Sequence, residues 1–327
     1  LALFLIVILA IVGFQGSRAK AALRAQYPPR GQMVDVGGYQ MHIYCLGSGS
    51  PTVILDSGLG DFSLAWELVQ PEVAQTTRVC AYDRAGLGWS ERGPKPRTVE
   101  NIVEELHTLL TNAGLEGPYV LVGHSMGGVY VRAYATEYPE EVVGMVLVDT
   151  SHEEQDARYP TAFSKLNEQV RAQMQQFLLV PQLLNSLGVL AMSPQDYPDA
   201  YLPPLPKEVK EVYKGVVLSS DSFFPALREQ YAHVEDNMAE MRQKHITTLG
   251  DIPLVVLSAG KLEAPESYGL SAEDVAQLQA AMAEMHAELA NLSPQGEVVI
   301  AEESTHYVQF DQPGLVIEAI THVLDAQ

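Results

Sequence analysis

The sequence predicts an α/β protein with a mostly parallel sheet, and three observations carry that expectation. Short, nearly uninterrupted apolar runs recur at Thr52 to Leu55, Tyr119 to Val122, Val142 to Val148, Leu254 to Leu257 and Val298 to Ala301. A strand without polar alternation is covered on both faces, as in a parallel sheet sandwiched by its crossover helices, and helical patterns do lie between these runs. The 327 residues, 47% hydrophobic and 19% charged, supply a sizeable core and exclude a disordered, collagen-like or coiled-coil chain.

Taken in order, Val34 to Val36 and Gln40 to Leu46 read as strands joined through Gly37-Gly38 as a hairpin. Thr52 to Leu55 is the third strand and Arg78 to Tyr82 the fourth. Thr98 can cap a helix whose Ile102, Val103, Leu106, Leu109 and Leu110 share one face and which stops at Gly114. Between Ser151 and Gly250 the strand rhythm breaks: the segment has helical periodicity, Pro-rich punctuation at Pro194, Pro198, Pro203, Pro204 and Pro206, and aromatic and aliphatic content beyond that of a linker. The expected organisation is a core of residues 31–150 and 251–327 with a helical cap, residues 151–250, over one edge of the sheet.

Residues 1 to about 30 are expected to stand apart as a targeting segment. Leu1 to Phe14 is almost continuously apolar and begins without Met, so it reads as the end of a membrane anchor or the apolar region of a signal peptide. Arg18, Lys20 and Arg24 favour a cytoplasmic side for the chain beyond them, whereas Ala19 and Ala21 offer a weak cleavage pattern. Membrane attachment through residues 1–14 or export are the two expectations.

Twenty Lys and Arg stand against 41 Asp and Glu, and a net charge of −21 repels phosphate backbones and disfavours anionic substrates. Nucleic acid is therefore not an expected partner. The two cysteines, Cys45 and Cys80, are too few for a disulfide scaffold and have no zinc-site spacing. No phosphate loop for a nicotinamide or nucleotide cofactor is present, because Gly86-Leu87-Gly88 alone is not the dinucleotide fingerprint.

The chemistry-bearing motif is Gly123-His124-Ser125-Met126-Gly127, between a strand and the helical pattern of Val129, Tyr130, Ala133 and Tyr134. A Ser at a sharp strand-to-helix turn projects its Oγ, glycines on either side let backbones pass closely, and the following helix aims its positive end at the same point. His306, in Ser304-Thr305-His306-Tyr307 after the last strand, is the best candidate base. His42, His107, His286 and His322 fall inside strand or helix patterns, His124 supports the turn, and His233 and His245 lie in the insertion.

With Asp56-Ser57-Gly58-Leu59-Gly60 and Tyr82-Asp83-Arg84-Ala85-Gly86-Leu87-Gly88-Trp89-Ser90, these motifs make the chain resemble the capped, serine esterase- and lipase-like branch of the α/β-hydrolase superfamily from about Met33 to the end. The resemblance implies an eight-stranded sheet with the second strand antiparallel, helices on both faces, a lid after the sixth strand, and the chain order Ser, acid, His. It implies that the N–H groups of Leu59 and Met126 form the oxyanion hole, with Ser57-Gly58 replacing the usual His-Gly, and that Asp83, Arg84, Gly86 and Gly88 are architectural. For the acid it offers two sites. Asp149, at the end of the sixth strand, is preferred; Glu263, after the seventh, is the alternative, with Glu153, Glu154 and Glu266 behind them. The family's strand order also brings Cys45 near Cys80, and two free thiols are expected there.

The expected activity is hydrolysis of neutral carboxylic esters of short to medium chain through an acyl-enzyme, with no metal or organic cofactor. Thioesterase, amidase and carbon–carbon bond hydrolase chemistry use the same parts. Epoxide hydrolases and dehalogenases place Asp at the Ser125 position. A ligand-sensing receptor that keeps the fold is the rival from another class.

Overall fold

The computed structural model describes residues 2–262 and 269–327. Its strands are β1 (Gln32–Asp35), β2 (Gln40–Leu46), β3 (Thr52–Asp56), β4 (Val79–Tyr82), β5 (Tyr119–His124), β6 (Val142–Val148), β7 (Leu254–Ala259) and β8 (Gly296–Ala301). They form one eight-stranded sheet in the order β1-β2-β4-β3-β5-β6-β7-β8. β2 is antiparallel to both neighbours, and the pairings from β4 through β8 are parallel.

Alternate residues of the central strands serve two cores, which is why those strands lack polar alternation. Ile54, Leu121, Met145, Leu147 and Val256 face the helices Val99–Asn112 and Met126–Glu137. Val53, Leu55, Val120, Val122, Val146 and Val255 face Trp66 and the helix Pro313–Asp325. Thr98 caps its helix as its sequence position suggests, accepting from the Asn101 N–H, and the chain turns away at Gly114 with φ +71°.

From Gln155 to Lys244 the chain between β6 and β7 is helical, with no strand among the described residues. This cap encloses a third core in which Tyr213, Val217, Phe223 and Phe224 meet Phe62, Leu64 and Leu87 from the loops of the sheet.

An N-terminal helix, Ala2–Gln26, precedes the sheet. Over Ile6–Gln26 it is long and apolar enough to cross a membrane, by length and composition. Its first half exposes Leu3, Phe4, Ile6, Val7, Leu9, Ile11 and Phe14, whereas its second half is built into the cap. Leu23 joins the third core, the buried Lys20 pairs with Asp221 at 2.5 Å, and Arg24 donates to the Ser219 carbonyl at 2.7 Å. The separation of residues 1 to about 30 from the fold is thereby corrected: from about Gly16 onward they are packed structure.

The expectation of two thiols is also corrected. Cys45 and Cys80 are direct cross-strand partners on β2 and β4, their Cα atoms 4.0 Å apart, and they form a disulfide. Opposed residues of an antiparallel pair send their side chains to the same face, so the register itself brings the sulfurs together. In denaturant, a thiol reagent is expected to find no reactive cysteine until the protein is reduced, and two afterwards; two equivalents before reduction would refute the bond.

Candidate active site

Parallel strands end at a common edge, and the loops beyond β3, β5, β6 and β8 supply the site. Ser125 follows β5 with φ 53° and ψ −121°, a conformation that side chains other than Gly seldom adopt. Its N–H donates to the Val148 carbonyl at 3.1 Å, while its own carbonyl accepts from Gly128 N–H and the Thr150 hydroxyl, each at 3.0 Å. The flanking glycines answer close approach: a Cβ on Gly127 would lie 2.4 Å from the Asp56 carbonyl oxygen, and one on Gly123 would lie 2.6 Å from the Gly128 backbone. The helix Met126–Glu137 starts at once, and the Met126 N–H belongs to the first turn, where no intrahelical acceptor exists.

His306 Nδ1 meets Asp149 Oδ2 at 2.7 Å. Asp149, itself at φ 39°, donates its N–H to the Leu257 carbonyl at 2.8 Å, and its Oδ1 accepts from Ala259 N–H at 2.9 Å. Burial pushes this carboxyl up, but the His306 hydrogen bond and charge, aided by His286 and the Ala259 N–H, outweigh it and hold the group below the usual carboxylate range. The loop bearing His306 is anchored where Thr305 N–H donates to Asp311 at 2.9 Å and where His124 Nε2–H donates to the His306 carbonyl at 2.9 Å. Ser125, Asp149 and His306 line one cavity of about 370 Å³, roofed by Tyr159, Phe163, Leu166 and Val170 of the cap.

The loop after β3 is set by Arg84. This buried guanidinium bonds Asp56, donates to the Ser57 carbonyl at 2.6 Å, and also holds the Gly58 carbonyl. In a trans peptide the C=O and the following N–H point in opposite directions, so turning the Gly58 carbonyl to Arg84 sends the Leu59 N–H away from it. The loop passes directly against the elbow, since a Cβ on Gly58 would sit 3.4 Å from Ser125 Cβ. Ser57 shapes the loop by donating its hydroxyl to the Phe62 carbonyl at 3.1 Å. A second cavity, about 1030 Å³, begins at Leu59 and Tyr307 and extends beneath the cap.

Glu263 and Glu266 lie outside the described residues. Glu153 is engaged by Arg132 at 2.9 Å, and the Glu154 N–H donates to His152 Nδ1 at 3.0 Å. Of the other histidines, His42 pairs with Asp83 at 3.0 Å, His107 stacks on Tyr138, and His233 contacts Asp236 at 3.1 Å. The partners that sequence reading missed are Ala259, whose N–H donates to Asp149, and buried His286, bonded to Ser258 at 2.7 Å and to the Thr150 carbonyl at 3.2 Å. A backbone donor has no sequence signature, and His286 sits in an ordinary helical pattern.

Residues 51–204 match the family model described as the alpha/beta hydrolase fold. The chain has the capped α/β-hydrolase fold. It is 29% identical over 211 residues to the protein YbdG of Bacillus subtilis, covering 62% of this chain and 60% of the length of that relative. Its fold is similar to a putative epoxide hydrolase of Pseudomonas aeruginosa, with a TM-score of 0.68, 18% identity, and coverage of 92% of this chain and 97% of that one. It is also similar to an esterase of Thermogutta terrifontis, with a TM-score of 0.59, 21% identity, and coverage of 90% and 98%.

The buried groups around this site make stability depend on pH. Burial, then the charge of His306, lowers His124 from its ordinary 6.5 to about 3. The unfolded chain therefore takes up this proton first, so the stability contributed above about pH 6.5 is lost as pH falls toward 3. Asp61 works in the opposite sense. Burial raises it to about 6, so the folded state holds the extra proton between its ordinary 3.8 and 6 and gains stability on acidification in that window. The two act against each other over that window, and removing the histidine isolates its share. Between pH 6.5 and pH 4 His124→Gln is expected to lose less melting temperature, or gain more, than wild type; an unchanged slope in the variant would show that His124 does not contribute.

Proposed function

We propose that this hydrolase cleaves neutral carboxylic esters of short to medium chain through an acyl-enzyme on Ser125. The observation that carries the reading is the 2.7 Å bond between His306 and Asp149 on the wall of the cavity that also holds Ser125. Ser125 Oγ attacks the ester carbonyl while His306 takes its proton, and the oxyanion accepts from the N–H groups of Leu59 and Met126. His306 passes the proton to the departing alcohol. Water then attacks the acyl-enzyme by the same route, releasing the carboxylic acid and restoring the Ser125 hydroxyl. Asp149 keeps the imidazole in one tautomer and stabilises the imidazolium. An apolar cavity in a chain of net charge −21 favours neutral esters over phosphorylated ones. We also read the N-terminal helix as a retained membrane anchor, because Lys20, Leu23 and Arg24 are built into the cap.

With p-nitrophenyl butyrate, Ser125→Ala is expected to lower kcat by about a thousandfold or more while leaving the melting temperature near that of wild type. Retention of more than about a hundredth of wild-type kcat would remove Ser125 from the role. Asp149→Asn is expected to lower kcat by roughly three to four powers of ten, against a small change in Glu263→Gln. The reverse ranking would assign the acid to Glu263. Fluorophosphonate labelling of Ser125 without multiple turnover of any acyl ester would favour a receptor.

A further inference from the structure

The larger cavity, the exposed face of the cap and the N-terminal helix meet at one place. Phe177, Val180, Met192 and Tyr201 line the cavity and are also between 38% and 63% exposed, so they form the rim of its mouth. Leu179 and Leu183, on the helix that carries Val180, extend this apolar rim without lining the cavity. The next turn of chain meets the N-terminal helix, and here the backbones touch: a Cβ on Gly16 would lie 2.0 Å from the Leu187 carbonyl oxygen, and one on Gly188 would lie 2.4 Å from Gly16 Cα.

The part of the N-terminal helix beyond this contact is apolar around its whole circumference. Leu3, Phe4, Ile6, Val7, Ile8, Leu9, Ile11 and Phe14 are all exposed, and residues so spaced cannot share one face. An amphipathic helix lies in a membrane surface; one that is apolar on every side belongs in hydrocarbon. About 14 residues at roughly 1.5 Å each reach about 21 Å, deep into a hydrocarbon layer of about 30 Å. No linker separates this helix from the cap, because Ala2–Gln26 is one continuous helix already docked at Gly16. Inserting it therefore draws the rim of the cavity mouth down to the lipid. With a net charge of −21, attraction to anionic headgroups cannot provide the contact, and burial of apolar surface must do so.

We infer that the cap rests on a lipid bilayer through Phe177, Leu179, Val180 and Leu183, and that the larger cavity receives a neutral, lipid-dissolved acyl ester directly from the membrane. The inference rests on the ester hydrolase reading above and names the route and class of its substrate.

The test uses the full chain reconstituted in phosphatidylcholine vesicles. Leu183→Trp fluorescence is expected to be quenched by phosphatidylcholine brominated on its acyl chains, beyond the quenching of wild type, while Thr111→Trp on the helix Val99–Asn112 is not. The double variant Leu179→Asp, Leu183→Asp is expected to lose about tenfold or more in kcat/KM for glycerol monodecanoate carried in the vesicles. Its turnover of water-soluble p-nitrophenyl acetate should stay within about twofold of wild type, since neither residue lines the cavity. Absence of quenching at position 183, or equal effects of the double variant on both esters, would overturn the membrane route. Hydrolysis of neither ester by the wild-type protein would instead overturn the ester hydrolase reading, and the quenching result would stand independently.

Discussion

Arg84 is the contact on which the rest of the molecule turns. Its guanidinium, shielded from water, reaches Asp56 at the end of β3 and the carbonyls of Ser57 and Gly58, and its charge lies over the Tyr130 ring of the elbow helix at 5.3 Å. Tyr82 completes the set by donating to the second oxygen of Asp56 at 2.8 Å. A buried ion pair of this kind adds little net stability over a packed apolar pair, but removing one partner strands the other and costs roughly 3–5 kcal/mol. Its value lies in geometry. One rigid fork sets where the β3 loop sits, which way its peptides face, and how closely it passes Ser125.

The same edge of the sheet stores strain. Ser125 and Asp149 both hold positive φ, a state that costs of order 1–3 kcal/mol for each residue and persists only where its surroundings over-determine it. Here they do. Ser125 is tied to Val148, Thr150 and Gly128, while Asp149 is tied to Leu257, Ala259 and His306. Two neighbouring strand ends are bent out of regular conformation toward one cavity, and the bonds that bend them come from β6, β7 and the last loop.

The cap is coupled to this edge by more than apolar contact. Gln230 accepts from the Gly60 N–H at 3.1 Å, and the Tyr213 hydroxyl donates to Asp61 at 3.3 Å, so the loop beneath Leu59 is gripped from above by cap helices and from below by Arg84. Leu23 enters the same core as Tyr213 and Phe223. Sheet loops, cap and N-terminal helix thus share a single packed layer.

Local pattern alone marked the eight strands, because burial on both faces writes the central ones as unbroken apolar runs and Gly37-Gly38 marks the hairpin of β1 and β2. It also determined the elbow, because Gly at positions 123 and 127 answers a backbone contact that no side chain survives. His306 stood out as a candidate base from its place after the last strand, whereas Asp149 and Glu263 stood as alternative acids, each a carboxylate following a strand. Tertiary structure decided what depends on residues far apart. The bond between His306 and Asp149 spans 157 positions, that between Lys20 and Asp221 spans 201, and that between Asp149 and Ala259 spans 110. The disulfide followed from the register of β2 on β4, which no property of Cys45 or Cys80 announces. Periodicity reports the environment of a segment, whereas a pairing depends on how crossovers and register bring two segments together, and that geometry exists only once the chain has folded.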